Sequence, residues 1–122
     1  MRAIALFGLG LLLLAAPVVA QDVTEQGTGA VLRGLEKVSG DVSDIDMDNG
    51  TRAEFGRLRI ELGECRYPEG DPVGEAFAFV TIREEGREAP YFSGWMIASA
   101  PALNALDHPR YDIWVMRCKT SE

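Results

Sequence analysis

The sequence predicts an all-β domain, a compact antiparallel barrel or sandwich of about six to eight short strands, and two observations carry that expectation. From residue 30 onward the apolar residues either alternate with polar ones or gather in blocks rich in strand-forming types. Gly, Pro and Asn interrupt these blocks at intervals of about ten residues, the cadence of antiparallel strands joined by turns. The two cysteines, Cys65 and Cys118, stand far apart and lack the C-x-x-C spacing of redox and metal motifs.

The chain of 122 residues opens with Met1 and the basic Arg2, an apolar run over 3–16, then Pro17 and the small residues Val18 and Ala20. These are the zones of a secretory signal peptide at 1–20, cleaved after Ala20, and the run is too short for a spanning helix of about 20 residues. The expected destination is the periplasm, with no stable membrane insertion after cleavage. Removing 1–20 deletes one basic and no acidic side chain, which shifts the net charge from −7 to −8. That sign disfavours nucleic acid and anionic membrane surfaces as partners.

Residues 21–29 are polar and read as a disordered lead-in. A single domain is expected over 30–119, with a tail at 120–122. Strands are expected at 31–38 and 42–47, with 51–55 pairing back across Asn49-Gly50, a strong hairpin signal. In 57–62, Leu58, Ile60 and Leu62 alternate with Arg57, Arg59 and Glu61, so one face meets a core and the other water. The stretch 76–83 is apolar on both faces and suggests a central strand covered on both sides, with 91–97 as its hairpin partner.

One helical turn is expected over 101–106, with Ser99 as N-cap and Pro109 as stop. The last strand, 111–118, alternates Tyr111, Ile113 and Val115 with Asp112, Trp114, Met116 and Cys118, which would put the cysteine beside the tryptophan. Export makes a Cys65 to Cys118 disulfide the simplest reading, and closing that loop would stabilise the fold by about 4 kcal/mol through chain entropy. A domain of about a hundred residues buries only about 60 to 65% of its unfolded surface, so such a brace matters.

The block F-S-G-W-M-x-A-S-x-P-A-L from Phe92 and the C-terminal Y-D-x-W-V-x-x-C-K from Tyr111 resemble a family of small secreted alphaproteobacterial proteins catalogued as a domain of unknown function. The resemblance covers residues 30–119. It implies an exported, single-domain, disulfide-capable protein and supplies no catalytic residues.

Trp95 is expected to cover Gly94 as a core aromatic, and the sharper alternative is a ligand-stacking platform of Tyr91, Trp95 and Trp114, with Arg110 and His108 beside it. Asp44, Asp46 and Asp48 followed by Asn49-Gly50 approach a calcium loop, but Asn49 stands where the turning glycine belongs and Phe55 where the bidentate glutamate belongs. They fit a solvated strand face, and no metal or other cofactor is expected. His108, the one histidine, would need Ser93 or Ser99 as nucleophile; no G-x-S-x-G elbow accompanies them, so a turn-stabilising role beside Asp107 and Pro109 is preferred. The expected function is a small accessory or protein-binding module of the bacterial envelope, docking on another envelope protein; a small envelope enzyme or a ligand- or carbohydrate-binding domain is the alternative.

Overall fold

The computed structural model describes residue 10 and residues 23–121. The signal peptide expected at 1–20 therefore lies, apart from Gly10, outside the described residues. Among these residues eight strands form: β1 Thr24–Gln26, β2 Gly29–Glu36, β3 Val42–Asp48, β4 Arg52–Phe55, β5 Leu58–Pro68, β6 Phe77–Glu84, β7 Phe92–Ile97 and β8 Tyr111–Lys119. They make two antiparallel sheets packed face to face. One sheet runs β1-β5-β6-β7 with β4 also on β5, and the other runs β3-β2-β8. The fold is all-β, as expected.

The core lies between the sheets because the alternating apolar residues of each strand share one face. Leu58, Ile60 and Leu62 of β5, Ala78, Val80 and Ile82 of β6, Leu32 of β2 and Ile113 and Val115 of β8 are all buried there. Two bulges change the phase of this alternation. In β5 the register to β6 slips between Leu62 and Glu64, leaving Gly63 unpaired, and in β8 Val31 pairs Arg117 while Leu32 pairs Val115, leaving Met116 unpaired. After each bulge the inward positions move by one residue. Cys65 and Cys118 each stand two residues beyond such a bulge, both are buried, and they form a disulfide with Cα atoms 5.5 Å apart. The bridge joins the two sheets. Cys118 thus shares the core face with Tyr111, Ile113 and Val115, and the expected grouping with Trp114 is corrected by the Met116 bulge.

Four further expectations are corrected. Residues 24–26 are a strand within the segment expected to be disordered: the polar TEQ needs no burial, because Thr24, Glu25 and Gln26 pair with Pro68, Tyr67 and Arg66 along the free edge of β5. The chain then crosses between sheets at Gly27, whose amide donates to Cys65 O at 2.7 Å, and Thr28, whose amide donates to Lys119 O at 2.8 Å. The Asn49-Gly50 turn does not close a two-stranded hairpin. Gly50 takes the positive φ the turn needs (74°), but β3 pairs with β2 and β4 pairs with β5, so the turn carries the chain from one sheet to the other. The Asn49 amide donates to Thr28 O and the Gly50 amide to Leu62 O, which ties the corner to both sides.

Strand β6 is central in its sheet yet, among the described residues, covered on one side alone, with Phe77, Phe79 and Thr81 half-buried on the outer face. The helical turn expected at 101–106 is absent among the described residues. Those positions form turns, with the Leu103 amide donating to Ala100 O. Ser99, the expected cap, is engaged elsewhere: its amide donates to Glu75 Oε1 at 2.9 Å and its hydroxyl bonds Glu75 Oε2.

Candidate functional site

Tyr91, Trp95 and Trp114 do not converge. Trp95 points outward from β7 and is 40% exposed, so it is no core aromatic. Trp114 is half-buried on the outer face of the other sheet, opposite Arg33 in register. Tyr91 sits at one end of the sandwich with its ring 4.6 Å from that of His108. The sequence order of the three gave no hint of this separation, because strand parity sends Trp95 and Trp114 outward on different sheets while Tyr91 precedes β7 and packs against the core.

What gathers around Trp95 is an apolar strip on the outer face of β6, the strand expected to be covered on both sides. Phe79 lies directly opposite Trp95 across β6 and β7, and the rings meet edge to face with centroids 5.3 Å apart. Phe77, Trp95, Arg66 and Thr24 line a shallow hollow of about 250 Å³ beside them. Arg66 is held at its margin by bonds to Thr24 Oγ1 at 3.0 Å and Glu64 Oε1 at 2.9 Å, so its alkyl stem can border the hollow while its charge stays paired. Beyond Phe79 the outer face turns polar: Thr81 and Ser93 share a hydrogen bond of 3.1 Å, and Arg83 follows on β6. The signal for this strip was the second apolar parity of Ala76-Phe77-Ala78-Phe79, which marks half-buried rings on the outer face, with no second layer over them among the described residues.

His108 is buried, and its hydrogen bonds explain why a polar ring sits there. Nδ1 accepts from the amides of Arg110 at 3.0 Å and Tyr111 at 3.2 Å, so Nδ1 carries no proton and Nε2, 3.4 Å from Glu84 Oε2, is the donor. Its carbonyl accepts from Lys37 Nζ at 2.7 Å. The ring fastens the entry into β8 after Pro109, which is the turn-stabilising role. Arg110 itself reaches Glu36 at 3.1 Å. Ser93 and Ser99, the hydroxyls considered as nucleophiles, are bonded to Thr81 and to Glu75.

Asp44, Asp46 and Asp48 line the outer face of β3 and meet cations. Asp44 accepts from Arg33 at 2.7 Å, and that bond holds its carboxyl below the usual range. Lys119 bonds Asp46 and Asp48, and the two carboxylates raise the pKa of its ammonium. Among the described residues no group of three or more His, Cys, Asp and Glu is placed to hold a metal ion. No helix among them is long and apolar enough to cross a membrane.

A family model described as "Uncharacterized protein conserved in bacteria (DUF2155)" matches residues 30–118. The chain is also similar to "Uncharacterized protein RP359" of Rickettsia prowazekii (strain Madrid E), at 30% identity over 95 residues, covering 75% of this chain and 61% of that protein. The chain thus spans about three fifths of the length of that relative. No solved structure matches it.

Proposed function

The chain belongs to this conserved bacterial family, and from that premise we propose that it is an exported accessory module of the cell envelope that works by docking its aromatic strip on another envelope protein. The observation that carries this reading is the strip of Phe77, Phe79 and Trp95, an apolar outer sheet face that no second layer covers among the described residues. Apolar contiguity of that kind, bordered by a paired arginine, is how soluble proteins present a partner site. Its hollow offers few polar groups to a sugar, and its two principal rings stand edge to face, which favours a protein surface over a stacked carbohydrate.

Site-specific photo-crosslinking tests the proposal. A photoreactive residue at position 95 in envelope extract should give a discrete protein adduct, and the same residue at position 44, on the other sheet, should not. Equal labelling from both positions, or a carbohydrate that protects position 95, would sink the protein-docking reading. Fractionation of cells, with N-terminal sequencing for a start at Gln21, tests export.

A further inference from the structure

We propose that the cleft between the tips of the β4–β5 and β6–β7 hairpins binds a phosphoryl oxyanion through the guanidinium groups of Arg57, Arg59, Arg83 and Arg87. The cleft measures about 320 Å³ and all four arginines line it. The chain has only 12 basic residues and a net charge of −7, so this convergence runs against the field of the molecule as a whole.

Two relationships separate these arginines from ordinary surface charges. Arg59 and Arg83 stand directly opposite each other across β5 and β6, a like-charge pair that costs stability unless something neutralises it. Their ion pairs are also loose. Away from the cleft Arg33 bonds Asp44 at 2.7 Å, Arg66 bonds Glu64 at 2.9 Å and Arg110 bonds Glu36 at 3.1 Å, while Arg52, 3.8 Å from Glu61, is the loose one. In the cleft, Arg57 stands 3.9 Å from Glu84 and Arg83 stands 3.7 Å from Glu61, beyond hydrogen-bond length, while no ion pair joins Arg59 or Arg87 to a carboxylate among the described residues. The N–H donors of four guanidinium forks are therefore left for a ligand.

Part of the cleft is held in advance. The Arg87 guanidinium lies over the ring of Tyr91 at 3.7 Å, and that ring rests against His108, whose Nδ1 is anchored by two backbone amides. Three carboxylates also border the site. Glu84 faces inward toward His108 Nε2, and Glu54 and Glu85 are exposed on the rim. Donors approaching from two hairpins suit an anion with three terminal oxygens better than a planar carboxylate with two.

Nuclear magnetic resonance titration of the oxidised protein with inorganic phosphate, at constant ionic strength against chloride, tests the proposal. Saturable shifts are expected at the amides of Gly56, Arg57, Gly86 and Arg87. Arg59→Gln and Arg83→Gln should each weaken binding about tenfold while leaving the circular dichroism spectrum unchanged. Sedimentation with phosphatidylcholine vesicles, with and without phosphatidic acid, separates the sources: arginine-dependent retention on the acidic vesicles assigns a lipid phosphate, and a phosphate response without retention assigns a soluble compound. If chloride gave the same shifts, or neither substitution weakened the response to phosphate or vesicles, the proposal would be overturned.

Discussion

The ring of Phe55 lies so close over the backbone of Gly34 that a Cβ there would stand 2.7 Å from the ring atoms Cε2 and Cζ. Phe55 ends β4 in one sheet and Gly34 lies in β2 of the other, so the contact helps set the spacing of the sandwich. The same ring meets Tyr111 edge to face at 5.7 Å. Gly34→Ala should therefore push Phe55 off Tyr111 and destabilise the fold by about 1–3 kcal/mol, the range for overpacking a filled core. Urea unfolding measures it; an unchanged midpoint would show that Phe55 yields freely.

Replacing both Cys65 and Cys118 by Ser should cost about 2–5 kcal/mol. The loss follows from reopening a loop of 53 residues, which returns chain entropy to the unfolded state. Mass spectrometry without reductant should show the wild type two hydrogens lighter than its dithiol form, and thermal melts in the presence and absence of reductant should reproduce the difference between wild type and variant.

Glu75 gives a pH signature. Burial raises its pKa, but the Ser99 hydroxyl and the amides of Ser99 and Ala76 more than offset this, so the carboxyl titrates below its usual range. Its folded pKa lies under the unfolded one. The stabilisation is then full above the unfolded carboxylate range of about pH 4.3 and is lost as pH falls through the folded value. Glu75→Gln should lower stability by about 1–2 kcal/mol near neutrality and should flatten the loss of stability on acidification. Parallel slopes for wild type and variant between roughly pH 5 and pH 3 would contradict this.

His108→Ala should destabilise by about 2–3 kcal/mol, because the amides of Arg110 and Tyr111 lose their acceptor inside the protein. His108→Asn, which keeps a side-chain acceptor, should recover part of that loss. In a partner-binding assay both variants should retain activity once folded, since the ring lies away from the Phe79 and Trp95 strip. Loss of binding in a fully folded variant would connect the two regions.

The legible parts of the fold were those where one physical rule acted alone. In 57–62 charge and apolarity alternate without interruption, and the residues expected inward are inward. The rule failed where a backbone irregularity changed its phase: Gly63 carried a bulge signal that went unused because the strand was expected to end at residue 62, and Met116 as a residue type announces none, yet these two positions decide which way the cysteines face. It failed again at Asn49-Gly50, where local turn chemistry is sound but long-range pairing assigns the flanking strands to different sheets. The polar 24–26 segment escaped notice because an edge strand is held by backbone hydrogen bonds, which composition does not record. Trp95 was misplaced for a related reason: a large aromatic on a strand is inward or outward by parity, and hydrophobicity alone does not choose. The cleft arginines were visible as individual charges, whereas their convergence depends on the register that sets Arg59 opposite Arg83.

The pairing of β2 with both β3 and β8 has a consequence for the order of assembly. Strands β4 to β7 form a meander of sequence neighbours and β2 pairs with its neighbour β3, so these ladders close over short loops, but the β2–β8 ladder joins Gly29 to Lys119 and must wait for the last strand. Cys118 travels on that strand. The bridge can therefore be made only once the chain extends through the last strand, and a chain cut short before it carries Cys65 as a single unpaired thiol.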